Sequence, residues 1–320
     1  MSSKVLVYGW YNKGNLGDDL FRDAFQQLFP TFSFTFTDKI TLSQVEGADA
    51  IFLGGGSFLG ESLKIADKKT IEAVKKNKVF YIGVGAETAI HESHKEIMAV
   101  AQLVAIRTTV NLDKVKEINS NCIVIPDLVQ LLSVTNTLPK IDKSVLVLPN
   151  ISVVPKWNDP HWKHVSWDYF KTEFSQLLDQ LYEDGYKINF LPMCVNDELN
   201  DCWAAVEIIN RMKHRSCKYL LKRHTTLDSA AKLISQYQAV ITQRFHGAIL
   251  AELAGTPSLT IHHHDKLKNV TGPTLPYYGI SKSRLIEELN NTLQTKVDQV
   301  LPIDRNIFDR LAQTVIGLMT

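Results

Sequence analysis

Short apolar runs recur along the chain, spaced so that a helix fits between most neighbours. Lys4 to Tyr8, Ala50 to Leu53, Val79 to Val84, Leu103 to Ile106 and Cys122 to Ile125 form a first series. Ser144 to Leu148, Ile188 to Leu191, Tyr219 to Leu220, Ala239 to Thr242 and Ser258 to Ile261 form a second. The runs are apolar throughout rather than alternating, which is the pattern of strands buried on both faces of a parallel sheet covered by helices. The intervening segments Asp19 to Leu28, Lys64 to Lys75, His94 to Gln102, Trp167 to Glu183 and Asn200 to Met212 carry apolar faces at helical spacing. Leu227, Ala230, Ala231 and Ile234 give the i, i+3, i+4, i+7 series outright. A further helix, Gly247 to Ala254, is stopped by Gly255 and Pro257. The pattern predicts an α/β fold.

Length makes this two domains. At 320 residues with 45% apolar content the chain can fill two cores, at the ~150 residues per domain that single cores favour. The polar stretch Leu131 to Lys143, with Pro139, reads as the linker. It sets the domains at 1–138 and 139–320, with the amphipathic segment Arg305 to Leu318 able to pack back across the first. Lys and Arg number 35 against 34 Asp and Glu, a balance that carries no nucleic-acid footprint, so anion recognition has to be local. Cys122, Cys194, Cys202 and Cys217 show no CxxC spacing and point to reduced thiols rather than to a metal site. No apolar run approaches the ~18 residues of a transmembrane segment, and the chain enters a strand within its first residues. Both features predict a cytoplasmic protein. Oligomeric state is not encoded in any recognisable pattern.

Four polar clusters fall at the C-terminal ends of predicted strands, the edge at which open α/β sheets bind ligands. In Gly9-Trp-Tyr-Asn-Lys-Gly-Asn-Leu-Gly-Asp-Asp19, Gly14 and Gly17 allow close backbone approach, Asn15 is polar, and Asp18 or Asp19 can cap the next helix. The loop suits a sugar hydroxyl or a phosphate, and equally a plain turn with an N-cap. Gly54, Gly55, Gly56 and Ser57 offer backbone N–H groups to an anion or a substrate edge, in neither a Walker nor a dinucleotide pattern. Arg107 ends a buried strand and needs an anion, either a ligand or a structural carboxylate.

The fourth cluster, Ile241-Thr-Gln-Arg-Phe-His246, brings a guanidinium fork and an imidazole to one helix entrance. Histidine exchanges protons near neutral pH, so His246 is the candidate acid or base. Against this stands an arginine paired with an interdomain carboxylate and a histidine that acts as a helix-cap donor. His262-His-His-Asp265 is a poor metal set, because adjacent extended residues point to opposite faces. Lys266 and Lys268 follow it and can reach the same edge, with Asp197 a rim candidate. Trp10, Tyr11, Trp157, Trp162 and Trp167 could stack on sugar faces or serve packing.

These motifs resemble the polysaccharide pyruvyl transferase family over most of the chain. The resemblance is carried by Gly14-Asn-Leu-Gly-Asp-Asp19, by Gly54 to Gly56 after a strand, and by Leu233-Ile-Ser-Gln-Tyr237 leading to Ile241-Thr-Gln-Arg244-Phe-His246. It implies two Rossmann-like domains in a GT-B-like architecture with the active site in the cleft between them. It further implies phosphoenolpyruvate as co-substrate, no bound cofactor or metal, and a carbohydrate acceptor that receives pyruvate as a cyclic ketal. Arg107 and Arg244 would bind the donor, His246 would carry the proton, and Gly14, Asn15, Gly17, Asp18, Gly54, Gly55, Gly56, Ser57 and Lys266 would line the substrates. Family members usually place an acidic residue after the first arginine, where this chain has Thr108. The alternatives are a nucleotide-sugar-dependent glycosyltransferase on the same frame and a noncatalytic carbohydrate-binding relative.

Overall fold

Most of the apolar runs are extended and buried at every position, as in Ala50–Gly56 and Val79–Val84, whereas the run at Cys122–Val124 is extended but leaves Ile123 and Val124 exposed. A computed structural model describes residues 2–60, 63–87, 89–135, 137–197, 199–215, 218–294 and 304–320. Its contacts divide the chain into a first unit of Met1–Lys13, Asp18–Leu132 and Pro302–Thr320 and a second of Gly14–Gly17 and Ser133–Leu301.

The first unit holds strands β1 (Lys4–Tyr8), β2 (Ser33–Thr37), β3 (Ala50–Gly56), β4 (Val79–Val84), β5 (Leu103–Ile106) and β6 (Cys122–Val124). They form one parallel sheet in the order β2-β1-β3-β4-β5-β6. The second unit holds β7 (Ser144–Leu148), β8 (Lys187–Phe190), β9 (Lys218–Leu220), β10 (Ala239–Thr242), β11 (Ser258–His262) and β12 (Thr274–Pro276). These are again all parallel, in the order β12-β11-β10-β7-β8-β9. Each sheet changes direction of growth once, between β1 and β3 in the first and between β7 and β10 in the second. A parallel sheet opens a crevice beyond its strand ends at such a reversal, because the helices on either side leave toward opposite faces.

The helices are α1 (Leu16–Asp19), α2 (Phe21–Leu28), α3 (Leu42–Glu46), α4 (Lys68–Lys75), α5 (Glu92–Met98), α6 (Leu112–Ile118), α7 (His161–Glu183), α8 (Asp201–Arg211), α9 (Leu227–Ser235), α10 (Phe245–Leu253), α11 (Lys282–Gln294) and α12 (Asn306–Met319). Several starts differ from the periodicity reading for local reasons. Helix α4 begins only at Lys68, because the Asp67 carboxylate accepts from the N–H groups of Lys69 and Thr70 and so fixes the first turn. Helix α7 begins at His161, ahead of the expected Trp167, with Pro160 at its N-cap position. Helix α12 belongs to the first unit, where Phe308, Leu311 and Val315 form its buried stripe.

Strands β2 and β12 and helices α3, α6 and α11 are additions to the sequence reading. Both strands are outermost in their sheets. Ser-Phe-Thr-Phe-Thr in β2 alternates and stays partly exposed, as befits a strand with one covered edge, so it lacks the continuous apolar run that marks the inner strands. From residue 137 the stretch read as a linker is docked on the second unit: Leu138 N–H donates to Ser235 Oγ, and the Lys140 ammonium donates to Ser235 O and Tyr237 O.

Candidate functional site

At the reversal of the second sheet, three neighbouring strands deliver the polar residues. Strand β7 runs into Asn150, β10 into Gln243 and Arg244, and β11 into His263. Thr242, fully buried, locks the exit of β10: its hydroxyl accepts from Arg244 N–H at 3.0 Å and donates to Arg244 O at 3.1 Å. Arg244 is thereby held extended (φ −110°, ψ 130°) as the N-cap of α10. Helix α10 thus starts at Phe245, earlier than the expected Gly247, and His246 sits in its first turn. Gly247 allows this tight passage, since a β-carbon there would overlap Thr242 Oγ1.

The Arg244 guanidinium is paired with Asp201, a carboxylate with no exposed surface. Asp201 also accepts from Ile151 N–H at 2.9 Å, Met193 N–H at 3.1 Å and Cys194 N–H at 2.8 Å. One carboxylate therefore ties the exits of β7, β8 and β10 together and aims the guanidinium. The sequence reading missed it, because an Asp at a helix start looks like an ordinary first-turn acid. Arg244 does have a carboxylate partner, but Asp201 lies in the same unit and not in the other domain, as that alternative had it, because the exit of β8 leads into the helix that carries it. Arg244 keeps side-chain exposure of 15%.

Asn150 organises the remaining polar groups. Its N–H donates to Gln243 Oε1 at 3.2 Å, its amide nitrogen donates to Gln243 O at 3.3 Å, and its Oδ1 accepts from Ser152 N–H at 2.9 Å. The same amide nitrogen lies 3.4 Å from His263 Nε2. Burial, then the nearby charges of His264, Lys266, Arg244 and His262, pull the His263 pKa down to about 3, so its ring is neutral.

The segment Gly14–Gly17 groups with the second unit. Leu16 N–H donates to Met193 O and Val195 N–H to Gly14 O, both at 2.9 Å, and Asn15 bridges Cys194. Asn15 Oδ1 accepts from Gly17 N–H at 3.2 Å. Gly14, at φ +65°, passes so close to the Val195 carbonyl that a β-carbon would overlap it. Gly17 lies directly against the His246 ring.

In the first unit, the reversal brings the exits of β1 and β3 together. Tyr11 is buried, with its hydroxyl donating to Gly54 O at 2.7 Å, so it is a structural strut and not a sugar platform. Gly55 and Gly56 adopt φ +75° and +100°, and β-carbons there would press on the Phe21 ring and on Asp18 Oδ1. Arg107, with 3% side-chain exposure, donates to Asp127 Oδ2 at 2.5 Å and to Ser57 Oγ at 2.8 Å. Burial lowers its pKa, but Asp127, Glu87 and Asp18 more than offset this and hold the guanidinium above its ordinary value. Asp127 is a structural carboxylate that Arg107 meets, within a carboxylate-rich setting.

Of the other candidates, Lys266 is half-buried and close enough to His263 to act on its charge. Lys268 and Asp197 are exposed. Trp157 and Trp162 are exposed, whereas Trp167 is buried and stacks on Phe170, which removes it as a sugar platform. Among the described residues no group of His, Cys, Asp and Glu could hold a metal, and Cys122, Cys194 and Cys202 are free thiols. Cys217 lies outside the described residues. No described helix is long and apolar enough to cross a membrane.

The fold is shared with solved sugar-nucleotide enzymes at low identity. UDP-GlcNAc 2-epimerase of Methanocaldococcus jannaschii, solved with UDP-GlcNAc and UDP, superposes with a TM-score of 0.61 at 10% identity over 98% of this chain and 99% of that one. A UDP-N-acetylglucosamine 2-epimerase assigned in Listeria monocytogenes gives 0.61 at 12% identity over 99% and 96%. The Neisseria meningitidis UDP-GlcNAc 2-epimerase bound to UDP-GlcNAc gives 0.56 at 11% over 98% and 100%. These likenesses establish the GT-B fold, two Rossmann-like domains, and nothing finer. Among curated proteins none matches the chain. The family model for polysaccharide pyruvyl transferase matches residues 15–265, a span that runs from the glycine loop through Arg244 and His246 to the turn after β11, and the chain belongs to that family.

Proposed function

We propose that the protein transfers the pyruvyl group of phosphoenolpyruvate to two hydroxyls of a carbohydrate, forming a cyclic ketal and releasing phosphate. The observation that carries this reading is the Arg244–His246 pair at the N-terminus of α10, placed at the reversal of the second sheet in a chain of this family. Arg244 meets a charged oxygen of the donor, assisted by the positive end of the α10 dipole. His246 delivers a proton to the terminal methylene carbon. The neighbouring carbon then becomes oxocarbenium-like, one sugar hydroxyl attacks it, and the bond to the phosphate oxygen breaks. The second hydroxyl closes the ring; of the two hydroxyl protons, one restores the proton that His246 gave up and the other leaves with the phosphate.

On the first unit, Asp18 and Glu87 lie near the glycine turn and Ser57 and supply acceptor oxygens for sugar hydroxyls. Phosphoenolpyruvate is an intracellular metabolite, so the reading places the reaction in the cytoplasm. A nucleotide-sugar donor is the competing reading, favoured by the UDP-GlcNAc-bound neighbour of the same fold. Thermal unfolding with each donor separates the two, because a ligand at 100 times its Kd stabilises the native state by about 2.7 kcal/mol. Stabilisation by phosphoenolpyruvate and not by UDP-GlcNAc supports the proposal; the reverse result overturns it.

A further inference from the structure

Two hydrogen-bond donors are buried without acceptors at the reversal of the second sheet. Gln243, 4% exposed, has its Nε2 buried with no hydrogen-bond partner, and so does the Nδ1 of His263. The hydrogen bonds around Asn150 establish that both are donors. Gln243 Oε1 is the atom that accepts from Asn150 N–H, so the buried Nε2 is the NH₂ end of the amide. The Asn150 amide is itself oriented by Gln243 O and Ser152 N–H, so it is its nitrogen that meets His263 Nε2. That ring nitrogen is the acceptor, and the ring proton resides on Nδ1.

A buried donor left unmade costs about 1–3 kcal/mol, and two on side chains that share Asn150 as a partner call for an acceptor that arrives from outside. The surroundings specify its charge. Arg244, Lys266, His262 and His264 all act electrostatically on His263, and α10 opens beside them. Asp201 itself accepts from Arg244 and three backbone N–H groups, and the positive field around His263 favours an acceptor that is an anion.

We infer that Gln243 Nε2 and His263 Nδ1 form a neutral two-donor receptor for an anionic oxygen of the substrate, a carboxylate or phosphate oxygen, with Asn150 as the residue that orients both. The inference rests on the proposed donor in identifying that oxygen as part of phosphoenolpyruvate, but the receptor itself is testable with simple anions. Neutral donors beside one arginine discriminate by direction as well as charge, so Gln243 and His263 are specificity residues rather than general charge neutralisers.

The test is calorimetric binding of phosphoenolpyruvate, pyruvate and inorganic phosphate to the wild-type protein and to Gln243→Glu, His263→Gln and His263→Asn. Gln243→Glu keeps the Oε1 acceptor and replaces the donor by an anion. His263→Gln loses the donor at the Nδ1 position, whereas His263→Asn restores one there. Gln243→Glu and His263→Gln should each weaken phosphoenolpyruvate binding ~10- to 100-fold, with His263→Asn recovering most of the loss. A loss shared with pyruvate assigns the receptor to the carboxylate, and a loss shared with phosphate assigns it to the phosphoryl group. Circular dichroism identifies folded variants, and either Gln243→Glu or His263→Gln alone suffices. Unchanged affinity for all three anions in a folded variant overturns the inference, as does a wild-type protein that binds none of them. Wild-type binding of pyruvate or phosphate but not phosphoenolpyruvate instead overturns the proposed donor and leaves the receptor standing.

Discussion

The Cα of Gly17 rests against the imidazole of His246 so closely that a β-carbon at position 17 would overlap the ring at Nδ1, Cγ and Cβ. The second glycine of the Gly14–Gly17 loop therefore makes room for the histidine, and the ring orientation depends on its having no side chain. Gly17→Ala should move His246 and lower ketal formation by ~10²- to 10⁴-fold, the range of a lost proton transfer. The fold should survive, since Gly17 is not in the left-handed region. Turnover measured beside the thermal midpoint checks this; full activity in a folded Gly17→Ala protein would show that the contact is dispensable.

Asp201 should be the most sensitive single position of the second unit. Removing it leaves Arg244 without its buried partner and three loop N–H groups without an acceptor. Asp201→Ala should cost about 3–5 kcal/mol in urea denaturation. The milder Asp201→Asn should fold and raise the KM for the donor more than it lowers kcat, because it misaims Arg244. An Asp201→Asn protein with unaltered KM would remove Asp201 from the positioning role.

Arg107 and Asp127 should behave as a coupled structural pair. Arg107→Met alone leaves the buried Asp127 charge uncompensated and should destabilise the first unit by about 3–5 kcal/mol. Adding Asp127→Leu should return much of that stability, since a buried ion pair often exchanges for apolar contacts at small net cost. A double-mutant cycle by chemical denaturation measures the coupling. Strictly additive losses would show that the two side chains act independently.

Acid sensitivity should centre on buried histidines. His94 has no exposed surface; its Nε2 donates to Leu63 O at 3.0 Å, and burial first of all lowers its pKa to about 4. The folded pKa lies below the unfolded 6.5, so the unfolded chain binds more protons in between. The stability linked to this group is complete above about pH 6.5 and falls as the pH drops toward 4, by about 3 kcal/mol in all. His94→Gln, which keeps a donor for Leu63 O, should flatten that slope. An identical pH profile for wild type and variant would rule His94 out as the sensor.

Parts of this were legible from the sequence because single segments carried them. Strands β7 and β10 are mostly apolar and buried at every position, and Arg244 and His246 follow β10 directly, so pattern and chemistry coincided in one stretch. Edge strand β2 was hidden by its own alternation. The partners were hidden by distance along the chain. Asp127 answers Arg107 from 20 residues away and Asp201 answers Arg244 from 43, and only the order of the strands brings them together. His263 looked like one of a poor metal set until Asn150 fixed its proton.

The most direct measurement incubates the purified protein with phosphoenolpyruvate and a glycan library and follows the products by mass spectrometry. The account predicts a pyruvate ketal on one class of acceptor, phosphate released in equal amount, and loss of both in a folded His246→Gln protein. Ketal formation that persists undiminished in His246→Gln, or sugar transfer from a nucleotide donor with no pyruvate adduct, would contradict it.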